Sequence, residues 1–190
     1  MIYNNNWAFI HIPKTGGTNF IERCKIFPEI IYGNDNRPKH YNHQPLQWWL
    51  DQKILSPNLI FFTFVRNPYS RMVSLYNHIL TSNKNIPSFS EFIENNILMK
   101  LESKINNVNF KFSWPQYKYF ENKENIKVNV FKMESELGEV EKLVNIKFKD
   151  TFVNSRLHSP WQNYYTKKTK TIVLNIWKKD FEFFSYDKDF

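Results

Sequence analysis

The chain has 190 residues, 42% of them hydrophobic, so it is long enough for one folded domain and too apolar to be disordered. Its single cysteine, Cys24, excludes an internal disulfide and a cysteine-based zinc site. The formal net charge of +8 favours an anionic partner, such as nucleic acid, a membrane surface or a small phosphorylated or sulfated ligand.

Strand patterns and helix patterns alternate along the chain. Apolar residues run nearly continuously in the first two strands and alternate with polar ones in the third, and helical spacing follows each of the first two. The predicted strands are residues 7–12, 59–65 and 126–133. The predicted helices are residues 18–27, 68–80 and 167–184, with further helix and loops in 81–112 and a loop over 150–166.

This order of elements predicts an α/β fold, with a P-loop-like, mainly parallel sheet flanked by helices. We expect a single domain over residues 1–190. No apolar run reaches the ~18 residues of a membrane span, and the first residues lack the basic and cleavable regions of a secretory signal. We therefore expect a cytoplasmic protein with no membrane anchor.

A phosphate-binding loop is predicted where the first strand meets the first helix. The chain has only 4 glycines, yet Gly16 and Gly17 are adjacent in the sequence PKTGGT. Glycines let backbone N–H groups approach an anion, and a helix start adds further N–H groups and a favourable dipole. Thr15 and Thr18 add hydroxyl donors, and Lys14 adds a mobile charge. The alternative interpretation is a turn that uses glycine for geometry alone.

A second anion site is predicted at the end of the second strand. Asn67 is suited to cap the following helix, with Pro68 as its first residue. Arg66 and Ser74 share one polar stripe of that helix, and the opposite stripe is apolar. Because ligands of open α/β sheets bind at the carboxyl ends of strands, two such sites indicate a ligand with two separated phosphate-like groups. A surface arginine beside capping serines is the alternative.

These two segments resemble a known family. HIPKTGGT at residues 11–18 resembles the 5′-phosphosulfate loop of PAPS-dependent sulfotransferases, and FVRNPYSRMVSLY at residues 64–76 resembles their 3′-phosphate motif. PAPS is 3′-phosphoadenosine-5′-phosphosulfate, which carries two separated anionic groups. The sequences of the two motifs are most similar to those of the carbohydrate branch, the glycan O-sulfotransferases. The resemblance continues through Gln116, residues 130–137 and residues 154–166.

The resemblance implies a role for each motif residue. Lys14 would contact the bridging and sulfuryl oxygens and stabilise the leaving phosphate. The residues implied at the 5′ phosphosulfate are Lys14, Thr15, Gly16, Gly17, Thr18 and Asn19. The residues implied at the 3′ phosphate are Arg66 and Ser74, with Ser155 and Arg156 on a late loop that closes over the same nucleotide.

Sulfuryl transfer to an alcohol also needs a base for the hydroxyl proton, and histidine is the usual base near neutral pH. The resemblance implies that the base lies between the two nucleotide-binding motifs and precedes a helix, and His40 and His43 both lie in that region. His43 directly precedes the helical pattern at residues 44–52, so we predict His43 rather than His40. His11 lies in a buried strand and is interpreted as structural, whereas His158 is a candidate contact of substrate or nucleotide.

The predicted function is therefore transfer of a sulfuryl group from PAPS to a hydroxyl, most simply that of a glycan or small sugar. No metal is expected, because a sulfuryl group carries less charge than a phosphoryl group and Lys14 with backbone N–H groups can suffice. We expect no nucleic-acid partner. Two alternatives remain: an ATP-dependent kinase with a degenerate P-loop, which would need magnesium, and a non-catalytic basic module that binds nucleic acid or glycan with steep salt dependence.

Overall fold

The computed structural model describes residues 1–32, 43–82, 85–96, 98, 112–147 and 159–190. Its strands are β1 (Ile2–Tyr3), β2 (Trp7–Ile10), β3 (Ile31–Tyr32), β4 (Ile60–Val65) and β5 (Val128–Lys132). Its helices are α1 (Gly17–Cys24), α2 (Leu46–Asp51), α3 (Pro68–Ser82), α4 (Phe89–Glu94), α5 (Leu137–Val144), α6 (Lys167–Ile176) and α7 (Lys178–Phe183).

The chain divides into two compact units. The first comprises Met1–Val65 and Gln116–Ser155, and the second comprises Arg66–Pro115 and Arg156–Phe190. Whether they behave as one domain over residues 1–190 stays a prediction. Among the described residues, no helix has the length and apolar character needed to cross a bilayer.

The first unit contains the sheet. Within the described residues its strands follow the order β3-β1-β2-β4-β5, in which β2, β4 and β5 are parallel and the two-residue strands β1 and β3 add an antiparallel edge. All of β2 is buried, and in β4 only Ile60 is exposed, as the continuous apolar runs predict. The predicted α/β class with a mainly parallel central sheet is confirmed.

Aromatic packing fixes α1 against this sheet. The Phe9 ring lies 4.6 Å from that of Phe20 on α1 and 5.5 Å from that of Phe64 on β4, measured between centroids. Tilted aromatic pairs of this kind add to the stability gained from burial alone. The end of β2 is tied to β4 as well, because the buried Thr63 hydroxyl donates to the Ile10 carbonyl at 2.8 Å. The turn that follows β2 therefore starts from a rigid position.

The second unit is helical among its described residues. Its core is built on the apolar stripe of α3, including Tyr69, Met72 and Tyr76, against which α4, α6 and α7 contribute buried residues. The predicted helix over residues 167–184 is wrong in one respect, because it is divided at Trp177. The Trp177 ring is fully buried and its Nε1 donates to the Ser113 carbonyl at 2.8 Å, an interaction that helical spacing cannot reveal.

Candidate active site

The loop between β2 and α1 has an unusual backbone. Lys14 has φ +67° and Gly16 has φ +83°, so two residues of this short turn are left-handed. The left-handed conformation costs a non-glycine residue about 1–2 kcal/mol. Strained residues of this kind cluster at functional sites. Turns of this type direct successive N–H groups into one concavity that suits an anion. The start of α1 extends it with the N–H groups of Gly17 and Thr18, which precede the first bonds of the helix, from Asn19 and Phe20 to the Gly16 carbonyl.

The two adjacent glycines are needed for different reasons. Gly16 supplies the left-handed φ, and a Cβ there would also lie 3.1 Å from Met133 Cε. Gly17 has no such φ, but a Cβ on it would lie only 2.1 Å from Cδ2 of His11. Gly17 is therefore required because the His11 imidazole lies directly against the start of α1.

The side chains of the loop differ in burial and in the hydrogen bonds that they make. Thr15 is fully buried, and its hydroxyl donates to the Ile12 carbonyl at 3.0 Å, so this hydroxyl closes the turn. Thr18 is exposed at the helix start. Asn19 is half-buried, and its Oδ1 accepts a hydrogen bond from Nε of Arg23 at 3.0 Å.

Sequence reasoning missed Arg23. This buried cation lies one turn beyond Asn19, and a signal was available because an arginine on the apolar side of an amphipathic helix is rarely buried without a purpose. It helps to line a cleft of about 70 Å³ beside the loop. The cleft is lined by Thr15, Gly16, Asn19, Phe20, Arg23, Phe64, Met133 and Leu137.

His43 lies against the strand end that leads into the loop. Its Nδ1 is 3.0 Å from the His11 carbonyl oxygen. A carbonyl oxygen can only accept, so Nδ1 must carry the hydrogen, and in the neutral ring Nε2 is left with the lone pair. The helix predicted after His43 is confirmed as α2, anchored by the buried Leu46 and Trp49.

Buried polar atoms lie close to His43. In the part of the chain that the structure describes, two buried side-chain atoms have no hydrogen-bond partner, Nδ1 of His11 and Oε1 of Gln44. The first belongs to the ring packed against His43, at 4.3 Å between centroids, and the second to the next residue along the chain. Unsatisfied buried atoms are costly and call for an explanation beyond packing.

His11 is held in its uncharged form. Burial lowers the pKa of His11 well below its usual value of 6.5, and the positive charges of His43, the Met1 amino group and Lys14 lower it further. Its side chain is 5% exposed. His11 is buried as expected, but β2 ends at Ile10, so His11 follows the strand instead of lying in it. Its contacts with both Gly17 and His43 were not foreseen.

The second unit contains the other predicted anion-binding residues. Asn67 caps α3, with its Oδ1 accepting from the Tyr69 N–H at 2.9 Å, and Pro68 is the first helical residue, as predicted. Arg66 is half-buried and its Nε donates to the Ser70 hydroxyl at 2.8 Å. Ser74, also half-buried, follows Ser70 one helical turn later on the same stripe.

Arg71 in the same motif has a structural role. It is fully buried, its guanidinium lies 4.8 Å from the Trp177 ring centroid, and it donates to the carbonyls of Trp114 at 2.9 Å and Phe112 at 3.0 Å. Helical spacing gave no signal for this role, because at about 100° per residue position 71 falls beside His78 on the polar side of α3. Of the two arginines in RNPYSR, Arg71 therefore stabilises the fold, whereas Arg66 is the candidate anion-binding residue.

Several predicted residues are outside this description. His40, Ser155, Arg156 and His158 do not lie within the described residues. In the segments that are described, no group of three or more histidine, cysteine, aspartate or glutamate side chains could hold a metal ion.

Comparison with known proteins identifies a family. A family model described as "Sulfotransferase family" matches residues 3–133, which include both the glycine loop and the α3 motif. No curated protein and no solved structure matches the chain.

Proposed function

The chain belongs to the sulfotransferase family, and on that premise we propose that it transfers a sulfuryl group from PAPS to a hydroxyl acceptor, with His43 as the general base. The observation that carries this proposal is the hydrogen bond between His43 Nδ1 and the His11 carbonyl. It brings a ring with a defined lone pair to the strand end from which the glycine loop departs.

The glycine loop fits the phosphosulfate end of the donor. A turn with left-handed residues at Lys14 and Gly16 that leads directly into the start of α1 is of the kind that suits a group with several anionic oxygens. When bound, PAPS supplies a sulfuryl group attached to a phosphate leaving group. Lys14 stabilises the negative charge that develops on that phosphate, as a positioned cation does for developing charge in general.

Arg66 and Ser74 are proposed to bind the 3′ phosphate. The support is their common stripe on α3 and the hydrogen bond from Arg66 Nε to the Ser70 hydroxyl, which orients the guanidinium on that stripe. The contributions of Ser155 and Arg156 stay proposals from the family resemblance.

His43 is proposed to accept the hydroxyl proton at Nε2. The proton arrives on the lone pair, and the Nδ1 hydrogen stays bonded to the His11 carbonyl, which stabilises the imidazolium that forms. The imidazolium therefore keeps its Nδ1 proton, and no second proton transfer at Nδ1 is needed. The acceptor is proposed to be a sugar hydroxyl, on the resemblance to the carbohydrate branch and on the net charge of +8, which suits an anionic glycan.

The first test is a thermal-shift titration with 3′,5′-adenosine bisphosphate, followed by transfer from labelled PAPS to a panel of sugars, tyrosine peptides and small alcohols. At a ligand concentration of 100 times Kd we expect about 2.7 kcal/mol of stabilisation, and hence a rise in Tm of about 5–10 °C for a chain of this length. Protection by ATP with magnesium and none by the bisphosphate would instead favour the kinase alternative. Steeply salt-dependent binding of DNA or glycan with no nucleotide effect would favour the binding module.

A further inference from the structure

The His11 imidazole connects the glycine loop to His43. On one side it lies so close to Gly17 that a Cβ there would be 2.1 Å from its Cδ2. On the other side its ring is 4.3 Å from that of His43, with an angle of 57° between the two planes. The backbone carbonyl of the same residue meets His43 Nδ1 at 3.0 Å. One residue therefore contacts both the backbone of the anion loop and the candidate base.

A histidine is an expensive choice for a residue that only fills space. The His11 side chain is 5% exposed and its Nδ1 has no hydrogen-bond partner, so the ring contributes a buried polar atom that an aromatic hydrocarbon would not. The flat, uncharged ring does supply a wall of defined position. It stacks at 5.8 Å on Phe9 of β2, which is itself fixed in the core of the sheet.

We infer that His11 is a positioning residue for His43: its ring holds the His43 ring at a set place beside the glycine loop, and its carbonyl selects the Nδ1–H tautomer, in which the basic lone pair is on Nε2. The inference rests on the proposed function, since it concerns the base of that reaction. The effect on chemistry follows because displacement of a catalytic group by ~1 Å can lower the rate about 100-fold.

The tautomer of His43 tests this role, because a His11 that only stabilised the fold would not determine which His43 nitrogen carries the hydrogen. Neutral histidine in water prefers the hydrogen on Nε2, so an Nδ1–H form reports an imposed partner. Two-bond ¹H–¹⁵N spectra, assigned by comparison with His43→Ala, distinguish the two forms directly. We expect the neutral His43 ring of the wild type to carry its hydrogen on Nδ1.

Two variants separate the effect of the His11 ring from that of its backbone carbonyl. His11→Ala keeps the carbonyl but removes the ring that holds His43 against it, so we expect a mixture of tautomers at His43 and a fall in kcat of about 10- to 100-fold, with bisphosphate affinity retained. His11→Phe restores a flat ring without nitrogens, so we expect it to recover the Nδ1–H tautomer and most of the lost kcat.

The outcomes are distinguishable from those of the proposed function. An Nε2–H tautomer in the wild type overturns the inference whether or not the protein is active, and it does so even if His11→Ala fails to fold. An unchanged tautomer and kcat in His11→Ala overturn it as well. If the wild type shows the Nδ1–H tautomer but transfers no sulfuryl group to any acceptor, the proposed function fails and the pairing of the two histidines stands.

Discussion

Lys14 is the residue at which stability and function are expected to oppose one another. Its φ of +67° is unfavourable for any side chain, yet its amino group is the proposed partner of the leaving phosphate. We expect Lys14→Gly and Lys14→Ala both to abolish transfer. Since both remove the side chain and only alanine retains a Cβ, we expect Lys14→Gly to be the more stable by about 1 kcal/mol, as measured by urea denaturation.

Lys53 provides the matched control, because it too is a lysine with a left-handed backbone, at φ +55°. It lies at the end of α2 and is exposed. Lys53→Gly should exceed Lys53→Ala in stability by a similar amount, and both should retain transfer. Equal stability of the two Lys14 variants would contradict the assignment of strain to that residue.

Gly17 is expected to be intolerant of the smallest substitution. In Gly17→Ala the new methyl group overlaps the His11 ring, so one of the two must move, at a cost of about 1–3 kcal/mol. Gly138, on α5, is the control because a Cβ there would meet nothing within 4 Å. Gly138→Ala should stabilise the protein by about 0.5–1 kcal/mol. A Gly17→Ala protein as stable as Gly138→Ala would show that the close approach is not as described.

The sequence carried different amounts of information about the individual candidate residues, whose roles stay predictions. The glycine pair and Arg66 came from local patterns, because a strand, a turn and a helix start are all short-range features. His43 needed the family resemblance as well. The closeness of His11 to Gly17 has no signal in the sequence, since it depends on where a buried ring points after the sheet has formed.

At the scale of the elements, continuous burial left the clearest signal. β2 and β4 were predicted within three residues of their ends because fully buried strands read as unbroken apolar runs. β1 and β3 have two residues each, which is too few to show a period. The division between α6 and α7 falls at Trp177, whose ring is bonded to Ser113, a residue distant in the chain.

The start of α3 is an element whose cap should matter for ligand binding. Asn67 accepts from the Tyr69 N–H, and it sits directly after Arg66. We expect Asn67→Ala to cost about 1 kcal/mol of stability and to weaken binding of 3′,5′-adenosine bisphosphate in calorimetric titration, because the frayed helix start no longer orients Arg66.

Ser88→Ala is the control for this effect, because Ser88 caps α4 through its bond with Glu91 and lies apart from the motif. It should lower stability by a similar amount and leave bisphosphate affinity unchanged. Weaker binding in both variants would assign the effect to general destabilisation rather than to Arg66.

At the scale of the whole molecule, the buried His11 predicts how stability depends on pH. Because its folded-state pKa is well below 6.5, the unfolded chain binds a proton there before the folded chain does. Its contribution is therefore fully present above about pH 6.5 and is lost as the pH falls through that value toward the folded-state pKa. Urea denaturation from pH 8 to pH 5 should show a decline in unfolding free energy that is smaller in His11→Phe. Identical declines in the two proteins would contradict the buried, neutral state of His11.

The central claim, sulfuryl transfer from PAPS with His43 as the base, is tested most directly by single-turnover transfer of labelled sulfate from PAPS in His43→Ala. The control is His78→Ala, which removes an exposed histidine of α3. We expect His43→Ala to bind 3′,5′-adenosine bisphosphate as the wild type does and to lose transfer by a factor of about 100–10,000, while His78→Ala keeps both. Wild-type transfer rates in His43→Ala would contradict the account.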